Sequence, residues 1–174
     1  FDLCDPSKKT VRQIGEVLQL ISDFSKHGKV TLGLNENEAT KIWMALNGFD
    51  HSGNEDVVLP PLKEIGSFLF GKMNIDTLLI HPPDRALAFR KDEHIALAGR
   101  VVKQPRVLTG GGDNLNAGYC LGLLSGFSIE HCMLMGMAAS GSYIENGFSA
   151  DRKDLIRYIQ QWAKELSREA IKNN

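Results

Sequence analysis

Three consecutive glycines run into an acid at Gly110-Gly111-Gly112-Asp113, followed by Asn114-Leu115-Asn116-Ala117-Gly118. Glycine lets a backbone turn sharply and approach a ligand closely. A helix that starts here presents unpaired N–H groups and the positive end of its dipole, which suit a phosphate. A carboxylate at the same place can take a proton from a hydroxyl nucleophile. The alternative is plainer: Asp113 caps the helix and the glycines form only a tight turn. Both readings stay open on these residues alone, although a mere turn does not require three glycines and their entropy cost.

A second pattern, Asn35-Glu36-Asn37-Glu38, directly follows the apolar run Val30–Leu34. Amide and carboxylate oxygens at this spacing can sit near a magnesium-bound phosphate, through water. Asn at a helix start with Glu three residues on is also a capping box, and the two roles are compatible. The stretch Gly66-Ser67-Phe68-Leu69-Phe70-Gly71-Lys72 fits G-x-x-x-x-G-K, but Met73 replaces the magnesium-binding hydroxyl. It also lies inside a helical stripe, so no P-loop is expected. His27, His51, His81, His94 and His131 show no ligand spacing, and no cysteine pair joins them, so no zinc site is expected. His81 ends a strand on the ligand side, where a packed imidazole is the simpler reading. Met133, Met135 and Met137 read as core filling. Tyr143 and Phe148 can flank a base, against an ordinary packing role. No G-x-S-x-G elbow is present.

Several elements must position these residues. Val11, Ile14, Leu18, Ile21 and Phe24 form the stripe of a helix over 10–26, with Gly28 as its cap. Val30–Leu34 reads as a buried strand. Ala39, Ile42, Trp43 and Leu46 mark a second helix ending at Gly48, and residues 49–59 are polar and irregular. A third helix starts at Pro60-Pro61. Thr77–His81, Ala86–Phe89 and Ile95–Ala98 read as strands. Segments 114–126 and 129–143 read as small-residue helices. A last helix over 151–172 turns Leu155, Ile156, Ile159, Trp162, Ala163 and Leu166 inward. Strands alternating with helices predict an α/β fold, a three-layer αβα arrangement with a mostly parallel sheet. Ligands then bind beyond the carboxyl ends of the strands, after Leu34, Ile80 and Leu108.

The chain has 174 residues, with 20 basic and 21 acidic side chains and a net charge of −1. No broad positive field is present for nucleic acid or anionic lipid. No apolar run approaches the roughly 20 residues that span a bilayer, and no signal peptide opens the sequence. Cys4, Cys120 and Cys132 read as reduced, mostly buried thiols of a cytoplasmic protein. The opening Phe1-Asp2-Leu3-Cys4-Asp5-Pro6 lacks Met and reads as the end of a buried strand. The expectation is the C-terminal part of a longer chain, one domain over residues 1–174. An unpaired sheet edge would otherwise call for a partner such as a second copy in a homodimer.

In order, Asp5-Pro6-Ser7, Asn35 to Glu38 and Gly110-Gly111-Gly112-Asp113 with Leu115, Ala117 and Gly118 resemble three motifs of the ribokinase-like (PfkB-type) carbohydrate kinases. The family patterns are D-P-N, N-x-x-E and G-A-G-D-x-F-x-A-G. The resemblance covers the whole chain and the C-terminal half or somewhat more of such a kinase. It implies ATP-dependent phosphorylation of a hydroxyl on a sugar or related small-molecule alcohol. Asp113 matches the catalytic base, and Gly110, Gly111 and Gly112 match the anion hole. Asn35 and Glu38 match residues that organise Mg2+ and phosphate, the metal indirectly through water. Adenine is implied between the loop after Ile80 and the segment Ala139–Gly147, with His81, Ser140, Tyr143 and Gly147 as nucleotide contacts.

Gly111 stands where the family has Ala, which leaves the N–H donors intact. Val107 replaces an Asp associated with a monovalent-cation site. His81-Pro82-Pro83 replaces T-x-G, and Pro83 removes a backbone donor. That departure motivates a second expectation, a catalytically inactive relative that binds nucleotide or a protein partner. A third is a kinase acting on a nucleoside or a pyridoxal-type alcohol.

Overall fold

A computed structural model describes residues 1–3, 5–49 and 57–172. Cys4 and His51 lie outside the described residues. The chain divides into two compact units: Phe1–Pro82 with Ala86–Ala96, and Pro83–Arg85 with Leu97–Asn174.

The first unit holds a four-stranded sheet in the order β1 (Thr31–Leu34), β2 (Thr77–Ile80), β3 (Arg85–Arg90), β4 (Glu93–Ala98). β1 and β2 pair in parallel, Leu34 opposite Ile80. Their side chains Leu32, Leu34, Leu78, Leu79 and Ile80 are almost wholly buried, the continuous apolar run of a strand covered on both faces. The parallel pairing extends to Asp2, which bridges Gly33. The opening residues thus pair as strand, but Phe1 and Asp2 are exposed, against the expected burial. β3 runs antiparallel to β2, and a two-residue loop with Asp92 at φ 61° leads into β4. The α/β class holds, and the described sheet is mixed because this hairpin adds antiparallel strands to the parallel pair.

Three helices accompany the sheet: α1 (Val11–Asp23), α2 (Glu36–Leu46) and α3 (Leu62–Gly71). α1 stops three residues short of its expected end, where Phe24–Lys26 tightens into a 3-10 turn. Ile14, Leu18 and Ile21 are buried, while Val11 and Phe24 are exposed. Gly66 lies inside α3, and the ring of Phe89 fills the space its Cβ would take. That packing explains this glycine and agrees with the absence of a P-loop.

The second unit is helical: α4 (Gly111–Leu124), α5 (Ile129–Asn146) and α6 (Arg152–Lys172). α4 and α5 are an antiparallel pair in close backbone contact. A Cβ on Gly118 would lie 2.5 Å from the Met135 carbonyl oxygen and 2.9 Å from the Gly136 Cα. A Cβ on Gly122 would lie 2.9 Å from the Cys132 Cα. On α6, Tyr158 and Trp162 are buried against Ala138, with Leu155 and Ile159 partly buried. Ile156, Ala163 and Leu166, expected inward, are exposed, because the buried stripe runs through Tyr158 instead. Arg100 ties the helices together. Its guanidinium bonds Glu145 at 3.1 Å and Glu165 at 2.8 Å and lies 4.8 Å over the Tyr158 ring. Cys132 is buried, but Cys120 is exposed, contrary to the reading of mostly buried thiols. Among the described residues no helix is long and apolar enough to cross a membrane.

Candidate active site

The site residues expected from sequence fall into two groups, one in each unit. In the first unit they gather at the carboxyl end of β1 and β2. Asn35 is the N-cap of α2, and both halves of the capping box are made: Glu38 N–H donates to Asn35 Oδ1 at 2.8 Å, and Asn35 N–H donates to Glu38 Oε2 at 2.9 Å. The His81 backbone N–H donates to the Leu34 carbonyl at 3.0 Å. That bond sets His81 beside the residue that precedes Asn35, at the end of the sheet where ligands of such folds bind.

Burial shapes the charges of this group. It pushes the Glu38 carboxyl up from its ordinary value, the Asn35 backbone bond opposes it, and negative charge on Asp2 and Asp5 adds to the rise. Burial pushes the His81 imidazole down, with Asp2 pulling the other way. Asp2 therefore acts on both side chains, a role the sequence reading missed. The signal was present in register: the opening strand pairs with Gly33, two residues before Asn35. Asp5 caps the short 3-10 turn Pro6–Lys8. Hydrogen bonds from Ser7 and then Lys41 hold its carboxyl far below the usual range. Lys41 Nζ stands 3.0 Å from it, a cation on α2 that the sequence reading also passed over.

In the second unit the glycine segment is a turn that launches α4. Gly111 N–H donates back to the Leu108 carbonyl at 3.2 Å. Gly110, the third residue of this turn, has φ 93° and ψ −2°. Among the described non-glycine residues only Asp92 has positive φ, so Thr109 does not. The combination is a type II turn, which demands glycine at that place. Gly111 spends its N–H inside the turn, so it is not a free donor as the sequence reading had it. The N–H groups of Gly112 and Asp113 have no backbone acceptor among the described residues. No side chain caps α4. The N-cap of α4 is Gly110, not Asp113, whose carboxylate is exposed in the first turn, so the capping alternative does not describe it.

The last turns of α5 stand beside this turn. Tyr143 Oη donates to the Thr109 carbonyl at 3.0 Å. The orphan carbonyl of Ile144 accepts from Arg106 N–H at 2.9 Å. A Cβ on Gly111 would lie 3.5 Å from Ser140 Oγ and 3.1 Å from Ile144 Cδ1. Gly147 closes α5 with φ 83°. Gly110 and Gly111 thus come together with Tyr143 and Ser140, Gly112 and Asp113 follow in the first turn of α4, Gly147 sits at the α5 end against Arg106, and Phe148 is exposed beyond it.

No protein-family model matches the chain. No curated protein matches it either. Solved structures do. It superposes on a ribokinase from Thermotoga maritima with TM-score 0.66 at 15% identity, covering 84% of this chain and 44% of that one. An adenosine kinase from Sinorhizobium meliloti gives 0.66 at 22%, covering 92% and 43%. The phosphofructokinase-2 of Escherichia coli gives 0.59 at 18%, covering 84% and 52%. The chain carries the ribokinase-like fold. It spans about half the length of these structures. At such identities the likeness is one of fold. A ribokinase-like architecture accounts for a parallel β1–β2 pair with a capped helix after β1. The local bonds around Asn35 and around Gly110 are this chain's own.

Proposed function

We propose that this protein is an ATP-dependent phosphotransferase whose acceptor is a hydroxyl on a sugar or similar small alcohol. We assign residues 1–174 to its nucleotide-binding and catalytic portion, working in the cytoplasm. The observation that carries the reading is the start of α4. Among the described residues, the backbone N–H groups of Gly112 and Asp113 without backbone acceptors and the exposed Asp113 carboxylate stand side by side on the turn that launches α4. The solved ribokinase-like neighbours support it, being kinases of sugars and nucleosides by name.

Phosphoryl transfer needs alignment and charge stabilisation more than covalent chemistry. The N–H groups of Gly112 and Asp113, with Gly110, hold the γ-phosphoryl oxygens through the positive end of the α4 dipole. The Asp113 carboxylate accepts the acceptor's hydroxyl proton as its oxygen attacks the γ-phosphorus and the bond to ADP breaks. Within the second unit, Ser140, Tyr143 and Gly147 are the nucleotide contacts that the resemblance implies.

The donor set suits magnesium held indirectly. Among the described residues no three acids, histidines or cysteines cluster as a direct cage. Mg2+ commonly keeps several waters and takes one or two protein carboxylates plus phosphates. Glu38 has one oxygen left after its capping bond, and its charge is disfavoured by burial and by Asp2 and Asp5. A divalent cation nearby relieves that strain. When bound, Mg2+ neutralises charge on the phosphates. Asn35 and Glu38 would hold it through water.

One observation favours a second reading. Pro82 and Pro83 follow His81 and remove two backbone donors at the strand end, as in a relative that binds nucleotide or a protein partner without turnover. Asp113→Asn separates the two. Turnover of Mg·ATP over a panel of sugars, nucleosides and vitamin alcohols is expected to fall by roughly 10²–10⁴-fold, with calorimetric Mg·ATP affinity within about threefold. Near-normal turnover in the variant ends the kinase assignment of Asp113. Wild-type binding without turnover on any alcohol establishes the second reading.

A further inference from the structure

The type II turn at Leu108–Gly111 differs from a type I turn by the orientation of its middle peptide, the one joining Thr109 to Gly110. In a planar trans peptide the carbonyl and the N–H point to opposite edges. Whatever holds the Thr109 carbonyl therefore also aims the Gly110 N–H. The group that holds it is the phenol of Tyr143, donating at 3.0 Å from the last turns of α5. The same phenol occupies the space of a missing side chain: a Cβ on Gly110 would meet Tyr143 Oη at 2.9 Å and Cζ at 3.2 Å. The next peptide is pinned separately, because Asn114 Nδ2 donates to the Gly110 carbonyl at 2.9 Å. The strand of chain entering the turn is tied to α5 as well, by Arg106 N–H on the Ile144 carbonyl.

We propose that Tyr143 is a positioning residue, a latch whose hydroxyl sets the orientation of the Thr109–Gly110 peptide. It keeps the Thr109 carbonyl turned to α5 and the Gly110 N–H turned away from α5, as a donor for an anion at the start of α4. The identity of that anion as a nucleotide phosphate rests on the proposed function. The latch itself rests on the turn geometry. Without the hydroxyl the middle peptide is free to flip, and the Gly110 donor turns away with it.

The test is Tyr143→Phe, which deletes one oxygen and keeps the ring. Thr109-Gly110 is the only Thr-Gly pair in the sequence. Labelling with carbonyl-13C threonine and 15N glycine therefore gives one cross-peak, for this peptide alone. In the ligand-free variant that peak is expected to shift or broaden, with the amide peaks of Gly136 and Gly141 in α5 unchanged to show an intact helix pair. Calorimetric affinity for Mg·ATP is expected to weaken roughly three- to tenfold, the scale of one hydrogen bond. An unmoved Thr109–Gly110 peak overturns the latch whatever the nucleotide does. A moved peak in a protein whose wild type binds no Mg·ATP leaves the latch standing and removes the kinase reading.

Discussion

Gly118→Ala should destabilise the second unit, although alanine is the better helix former. In an open helix interior the exchange gains up to about 1 kcal/mol. At Gly118 the new methyl would lie 2.5 Å from the Met135 carbonyl oxygen, 2.8 Å from the Ala139 Cβ and 2.9 Å from the Gly136 Cα. Carbon contacts settle near 3.5–4.0 Å. Two of these three neighbours are backbone atoms, which have no rotamer to escape into. α5 must back away by about 1 Å, and overpacking of this kind costs about 1–3 kcal/mol. Taking about 2 kcal/mol from the middle of that range against about 1 kcal/mol gained, the balance is a net loss of about 1 kcal/mol, or a fall in Tm of roughly 2–4 °C in a chain of this size. Gly15→Ala is the control: Gly15 is inside α1, with nothing within 4 Å of its would-be Cβ, so that variant should gain up to about 1 kcal/mol. The two tryptophans report separately, Trp43 from the first unit and Trp162, buried beside α5, from the second. Urea denaturation read from Trp162 in a Trp43→Phe background measures the loss. A Gly118→Ala protein as stable as the parent would refute the close-packing argument.

Two further outcomes follow from charge. Burial keeps His81 neutral in the fold, so the unfolded chain gains a proton first as pH falls below the ordinary value of 6.5. Stability is thus complete above that value and is lost as pH drops towards the lowered folded value. Glu38, pushed up by burial, has the opposite sign: its contribution is complete below the ordinary carboxylate range and fades as pH rises. His81→Gln should therefore reduce the acid-side loss below pH 6.5 in urea titrations followed at Trp43, with His94, also lowered by burial, keeping the remainder, and parallel profiles for parent and variant would contradict this. Arg100→Lys should lower the stability of the second unit by about 1–2 kcal/mol, because a lysine cannot bond two carboxylates and stack on Tyr158 together. Partial exposure of Glu145 and Glu165 keeps the loss below that of a fully buried pair. An unchanged Trp162 transition would show that the ion pairs contribute nothing.

How much of this was legible depended on whether a residue's partner lay nearby in sequence. The capping box at Asn35 and Glu38 is local, and both of its bonds are present. The strand at Thr77–Ile80 and the proline-led start of α3 are local too. α4 and α5 are apolar on all sides, so periodicity marked no inner face. Their contact is instead written in glycines whose partners lie on the other helix, 10 to 21 residues away. The α6 stripe was read from Leu155, Ile156, Ile159, Trp162, Ala163 and Leu166, without Tyr158. Tyr158 takes the centre because Arg100, far off in sequence, stacks on it. At the candidate site, counting glycines suggested three donors. Only the turn bond to Leu108 reveals that Gly111 is already engaged.

The seam between α4 and α5 has a mechanical consequence. Where the helices meet at Gly118 and Gly122, the main-chain atoms of Met135, Gly136 and Cys132 set their separation. Such a joint has very little play. Any push on the far end of α5 is delivered undiminished to its last turns, where Tyr143 and Ile144 grip the bend ahead of Asp113. The helix pair is in effect a stiff rod with the glycine turn mounted at its tip.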